Sequence, residues 1–214
     1  MGATTACGQK KSGPPSPTGP TSVATTLTEI SAEARELVKK YNIEWGARRE
    51  GGTVRWNQRV VTIWADSNFN QADVQAVVDF WNSKIGSVLT LQIVSTVGEA
   101  KFVLESSWPP PADVPLQSPD LVDSSCGVAG PRTFSGNMVT SARGWFAFMQ
   151  KPQCRLGNNM QIVMAHEIGH ALIPFGGHVP DGGILGTPST WSMSPLTLES
   201  GVWINTVPPA TKLE

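Results

Sequence analysis

The chain has only three histidines, and all of them fall between positions 166 and 178. His166 and His170 stand inside an apolar run with helical spacing: Met160, Ile162, Val163, Met164, Ile168, Ala171 and Leu172. A helix over this run must bury one side. Residues four apart lie on one face, so the two imidazoles project together, one turn apart. That spacing lets two ring nitrogens reach a single metal ion at about 2.0–2.1 Å. Glu167 is rotated by about 100° around the axis. It is poorly placed as a helical ligand, and well placed to take a proton from a water beside the metal. This is the His-Glu-x-x-His arrangement of zinc hydrolases. A five-residue pattern does arise by chance, but here every histidine of the chain is involved, on a run that would hold the ligands rigidly.

Beyond the helix the chain reads Pro174, Phe175, Gly176, Gly177, His178, and later Trp191, Ser192, Met193, Ser194, Pro195. Over 160–195 it resembles the metzincin metalloproteases, most closely the matrixin branch and its bacterial relatives. Their motif is His-Glu-x-x-His-x-x-Gly-x-x-His followed by a Met-turn. The resemblance implies one catalytic zinc on His166, His170 and His178, with Glu167 as general base and Met193 as the Met-turn residue. Met193 would form an apolar floor under the imidazoles, contributing packing rather than a bond. The chain departs from the motif in that His178 follows His170 by eight residues instead of six, and Phe175 stands where glycine is expected. Pro174 should stop the helix after Leu172 or Ile173. Gly176 and Gly177 are then expected to take positive φ and swing His178 back to the metal. Failing that, Asp181 or Glu199 is the replacement ligand.

Upstream, residues 32–41 read as a helix capped by Ser31, with Ala34, Leu37, Val38 and Tyr41 on one stripe. Residues 53–65, rich in β-branched and aromatic side chains, read as one strand. A long helix begins near 68–71, with Val74, Val77, Val78, Trp81 and Ile85 on one face and Gly86 as terminator. Strands follow over 89–94 and 101–106, then a proline-rich loop over 108–119. Residues 138–149 read as a strand or hairpin arm, and the metal-bearing helix starts at Asn158 or Asn159. A short closing helix fits 196–206. The expected fold is α+β: a metzincin-like catalytic domain over 27–211, a twisted mixed sheet with an active-site helix and a long helix packed on it. By resemblance, Trp145, Phe146 and Ala147 would line the cleft and pair with extended substrate. Eight tryptophans against one tyrosine fit core packing more simply than a carbohydrate surface.

Residues 1–26, with Pro14, Pro15, Pro17 and Pro20, cannot build a core and read as a tether. Cys7 among small residues resembles the lipidation site of bacterial lipoproteins, which makes a lipid anchor one expected partner. Met1-Gly2 and Lys212-Leu213-Glu214 read as additions to natural ends. Cys126 and Cys154 can pair, closing a loop of roughly 28 residues worth about 3–4 kcal/mol, and such a bond implies an extracytoplasmic setting. The formal net charge of −1 gives no reason to expect nucleic acid, and no apolar run is long enough to span a bilayer. Calcium on carboxylates and carbonyls is left open, though no loop has calcium-site spacing. The function expected is that of a monomeric zinc endopeptidase acting on peptide or protein substrates. The alternative is a secreted zinc-binding protein, or a non-peptidase zinc hydrolase whose cleft is occluded by the 179–192 loop.

Overall fold

The structure is a computed structural model, which describes residues 29–43, 51–107, 110–111, 126–151, 154, 159–187 and 189–213. The tether, Cys7, the Asn158 cap and most of the 108–119 loop lie outside the described residues. Helices are α1 (Ala32–Leu37), continued by a π-helical turn (Val38–Ile43), α2 (Gln71–Ile85), α3 (Asn159–Leu172) and α4 (Pro195–Thr206). Strands are β1 (Arg55–Trp56), β2 (Val60–Ala65), β3 (Thr90–Ile93), β4 (Phe102–Glu105), β5 (Gly127–Ser135) and β6 (Met138–Phe146). The fold is mixed α+β around a mostly parallel sheet ordered β1-β6-β4-β2-β3, with β5 pairing β6 antiparallel.

Local chemistry accounts for the helices. Asn70 caps α2 by accepting from Ala72 N at 2.9 Å, and Val74, Val77, Val78, Trp81 and Ile85 are all buried on its inner face. Ser31 caps α1 by accepting from Ala34 N at 3.2 Å. Its own N–H and hydroxyl donate to the Glu199 carboxylate at 2.6 and 2.8 Å, so α1 docks on α4. Asn82, on α2, covers the outer edge of β3: its amide donates to Leu91 O at 3.0 Å and accepts from Leu91 N at 2.8 Å. A side-chain amide thus occupies the place another strand would take.

The expected single strand over 53–65 is two. Residues 57–59 bend, so β1 pairs with β6 while β2 pairs with β3 and β4. Propensity does not distinguish one long strand from two, because what divides them is the partner each half finds. β5 was not anticipated at all. Gly127, Gly130 and Pro131 are poor strand formers, and they pair because β6 presents an open edge. The Cys126–Cys154 disulfide forms, joining Cα atoms 5.5 Å apart. It is consistent with an extracellular location. No helix among the described residues is long and apolar enough to cross a membrane.

Two indoles hold the histidine-bearing helix α3. Trp56 Nε1 of β1 donates to Ala171 O at 2.8 Å, and Trp81 Nε1 of α2 donates to Ala165 O at 3.0 Å. Both rings are fully buried. The close approach of Trp81 requires Gly169, where an added Cβ would lie 2.6 Å from the indole and 2.7 Å from Leu185. Buried Asn42 ties the far end of α3 to the sheet, donating to both Val54 O (2.9 Å) and Pro174 O (3.0 Å).

A candidate three-histidine metal centre

His166 and His170 project from one face of α3, as their spacing requires. The helix ends at Leu172, two residues before Pro174, and the chain returns His178 to the same place. The Nε2 atoms of His170 and of His178 each stand 3.1 Å from Nε2 of His166. One ligand nitrogen from each of the three lies within 4.8 Å of the others. Two nitrogens bound tetrahedrally at about 2.0–2.1 Å from one ion would be about 3.3 Å apart, close to what is seen.

The rings are held in register by backbone carbonyls. His166 Nδ1 lies 2.6 Å from Ile184 O and 2.8 Å from Ser189 Oγ, and His170 Nδ1 lies 3.0 Å from Phe175 O. A carbonyl only accepts, so both imidazoles carry their proton on Nδ1 and turn the Nε2 lone pair inward. Two lone pairs facing each other at 3.1 Å repel unless a cation stands between them. Carbonyl-oriented histidines of this kind are also the usual surroundings of a bound metal. The residues present therefore fit a metal ion.

Burial keeps the imidazoles of His166 and His170 neutral, as ligands must be. His166 is pushed down to about 4 by burial first, with the nearby His178 adding to it and the Ile184 carbonyl opposing. His170 is pushed down to about 3 by burial, then by His166 and His178, against the Phe175 carbonyl. Glu167 stands beside the cluster, Oε1 4.0 Å from His166 Nε2. Burial raises its carboxyl to about 8, partly offset by the hydrogen bond its Oε2 accepts from Ala129 N at 3.1 Å.

The turn to His178 is not made as expected. Positive φ occurs at Gly182 and Gly183, beyond His178, and not at Gly176 or Gly177. Gly176 N donates to Tyr41 O at 2.8 Å, and a Cβ on Gly177 would meet the Tyr41 ring at 3.3–3.4 Å. At Gly177, then, glycine admits the Tyr41 ring. Gly183 packs against the backbone of Ser192 and Ser194, and Ile184 N donates to Ser192 O at 2.6 Å. The turn that carries Met193 is thereby tied to the carbonyl that orients His166. Met193 itself is partly buried against the core and lines a cavity with Phe80 and Trp191. The replacement ligands are engaged elsewhere: Asp181 accepts from Ser194 Oγ at 2.5 Å, and Glu199 is held by Ser31.

Trp145, Phe146 and Ala147 are fully buried. The β6 residues among them pair with β4 on one side and β5 on the other, so this segment offers substrate neither a surface nor a free edge. The edge beside Glu167 is β5. Ala147 N donates to Cys126 O at 2.9 Å, which turns the polar backbone of 126, 128 and 130 toward β6 and that of 127, 129 and 131 outward. Ala129 N–H accordingly reaches Glu167, and Pro131 lies where a missing N–H costs the sheet nothing. Neither β5 nor the carbonyls of Ile184 and Phe175 had a sequence signal, because backbone groups look alike in every residue.

No protein-family model matches this chain, and no curated protein matches it.

Proposed function

We propose that the protein is a zinc-dependent endopeptidase with a metzincin-like catalytic domain, acting outside the cytoplasm. The observation that carries this reading is the convergence of three imidazole Nε2 atoms beside a buried carboxylate that makes no salt bridge to Lys or Arg among the described residues. Three neutral nitrogen ligands suit zinc and leave a coordination position open. When bound, such an ion supplies Lewis acidity and makes hydroxide accessible near neutral pH. The order of strand, helix, strands, histidine-bearing helix, loop, Met193 turn and closing helix supports the family assignment.

The chain's own groups would do the following. Burial alone opposes the ionised form of Glu167, which a cation held by the three histidines would favour. The carboxylate would then take a proton from the attacking water and pass it to the leaving amine. The Ala129 N–H aims the carboxylate by holding Oε2. The outward edge of β5, beginning at Gly127, is the surface on which an extended peptide would add as a strand, in place of the 145–147 segment. Burial around Glu167 and His166 limits competing water and strengthens each polar contact.

The test combines zinc content by atomic absorption with cleavage of casein or gelatin, for wild type and Glu167→Gln. One zinc per chain in both, with activity falling 10²–10⁴-fold in the variant, is the expected result. Zinc in both proteins with no cleavage by wild type would favour a binding role. Loss of zinc from Glu167→Gln would make Glu167 a ligand and defeat the mechanism.

A further inference from the structure

At the beginnings of β1 and β2, on elements that carry none of the three histidines, a cavity of about 270 Å³ opens between the 55–59 bend, the 87–89 segment and the end of α4. Two arginines line it, and no Asp or Glu does. Arg55 donates from Nη1 to Trp56 O at 3.2 Å, while its Nε is buried without a hydrogen-bond partner. Arg59 donates from Nη2 to Ser87 O. Neither arginine has a carboxylate partner among the described residues. A guanidinium has five N–H donors in a planar fork, so most of the donor capacity here is unspent, in a chain whose overall charge is −1.

The other walls narrow the ligand. Asn205 spends its NH₂ inside the protein, on Gly201 O at 2.9 Å and Leu172 O at 3.4 Å. What it offers the cavity is its carbonyl oxygen, an acceptor. Partly buried Val88, backed by the buried Trp56 and Leu89, supplies an apolar wall. Donors for an anion, an acceptor for one N–H and an apolar wall together match the last residue of a peptide: carboxylate, amide N–H and aliphatic side chain. Inorganic phosphate would use only the first of these. We propose that this cavity binds the free C-terminal carboxylate of a peptide ending in an aliphatic residue, gripped by Arg55 and Arg59.

Calorimetric titration of the full-length, metal-loaded protein tests this with three probes. N-acetyl-L-leucine carries all three features, N-acetyl-L-leucinamide lacks the carboxylate, and 4-methylpentanoate lacks the amide. Saturable binding of the first at one site per chain is expected, at least about tenfold tighter than either of the others. Arg55→Gln and Arg59→Gln should each weaken it by about tenfold or more. Because Arg59 is exposed, its variant separates lost binding from lost folding. The proposal is overturned if the first probe does not saturate, or if the amide binds equally well. Equal binding of 4-methylpentanoate would make this a site for small acids and reject the peptide terminus. Affinity that survives both arginine substitutions would place the carboxylate elsewhere, at the histidine centre.

Discussion

Gly169→Ala tests how the histidine-bearing helix is held. In an open helix this change stabilises, by about 1 kcal/mol of backbone entropy. Here the new methyl would stand 2.6 and 2.9 Å from two carbons of the Trp81 indole and 2.7 Å from Leu185 Cδ2, roughly 1 Å inside normal carbon contact. The indole cannot slide away freely, since it is buried and its N–H is bonded to Ala165 O at 3.0 Å. Losing that bond would cost about 1 kcal/mol. Leu185 must then move, and it adjoins Ile184, whose carbonyl holds His166. Overpacking of this kind costs about 1–3 kcal/mol and here outweighs the helix gain. The variant should lose about 1–2 kcal/mol in urea unfolding followed by tryptophan fluorescence, with chelator present so that bound metal does not mask the change. Zinc affinity, measured by competition with a chromogenic chelator, should fall about 10–100-fold as the ring loses its carbonyl. A stabilised variant with unchanged zinc affinity would show that neither Trp81 nor Leu185 constrains the helix.

His178→Ala should weaken zinc binding severely, whereas Met193→Leu, which keeps an apolar side chain of similar size, should leave it nearly intact; equilibrium dialysis distinguishes them. The metal-free protein should be most stable near pH 6.5. Below that, the unfolded chain protonates histidines that the fold keeps neutral, so stability falls as pH drops from 6.5 toward about 4 and 3. Above it, the folded protein retains the Glu167 proton up to about pH 8 while the unfolded carboxyl, near 4.5, has lost its own. Stability should therefore decline by about 2 kcal/mol between pH 6.5 and 8. Glu167→Gln should abolish this alkaline decline and leave the acid limb, and an unchanged alkaline limb in the variant's urea midpoints would refute the assignment. Cys126→Ser with Cys154→Ser should cost about 3–4 kcal/mol, read as a lower melting temperature that no longer responds to reductant.

What the sequence by itself determined is local. The stripe on α2 and its Asn70 and Gly86 ends follow from a 3.6-residue period and from which side chains reach a helix terminus. The pairing of His166 with His170 follows from the same period, and the stop after Leu172 from the geometry of Pro174. Tertiary structure decided whatever depends on a partner distant in sequence. β5 is a strand because β6 has an edge to offer, despite Gly127 and Pro131, and its position leaves residues 145–147 buried behind it. Residues 53–65 divide because their two halves meet different neighbours. Gly177 is tied to the nearness of Tyr41, more than a hundred positions earlier, a contact that no dihedral preference encodes. The histidine tautomers were the least legible feature, because they depend on the carbonyls of Ile184 and Phe175, groups that every residue carries and only the folded chain aims.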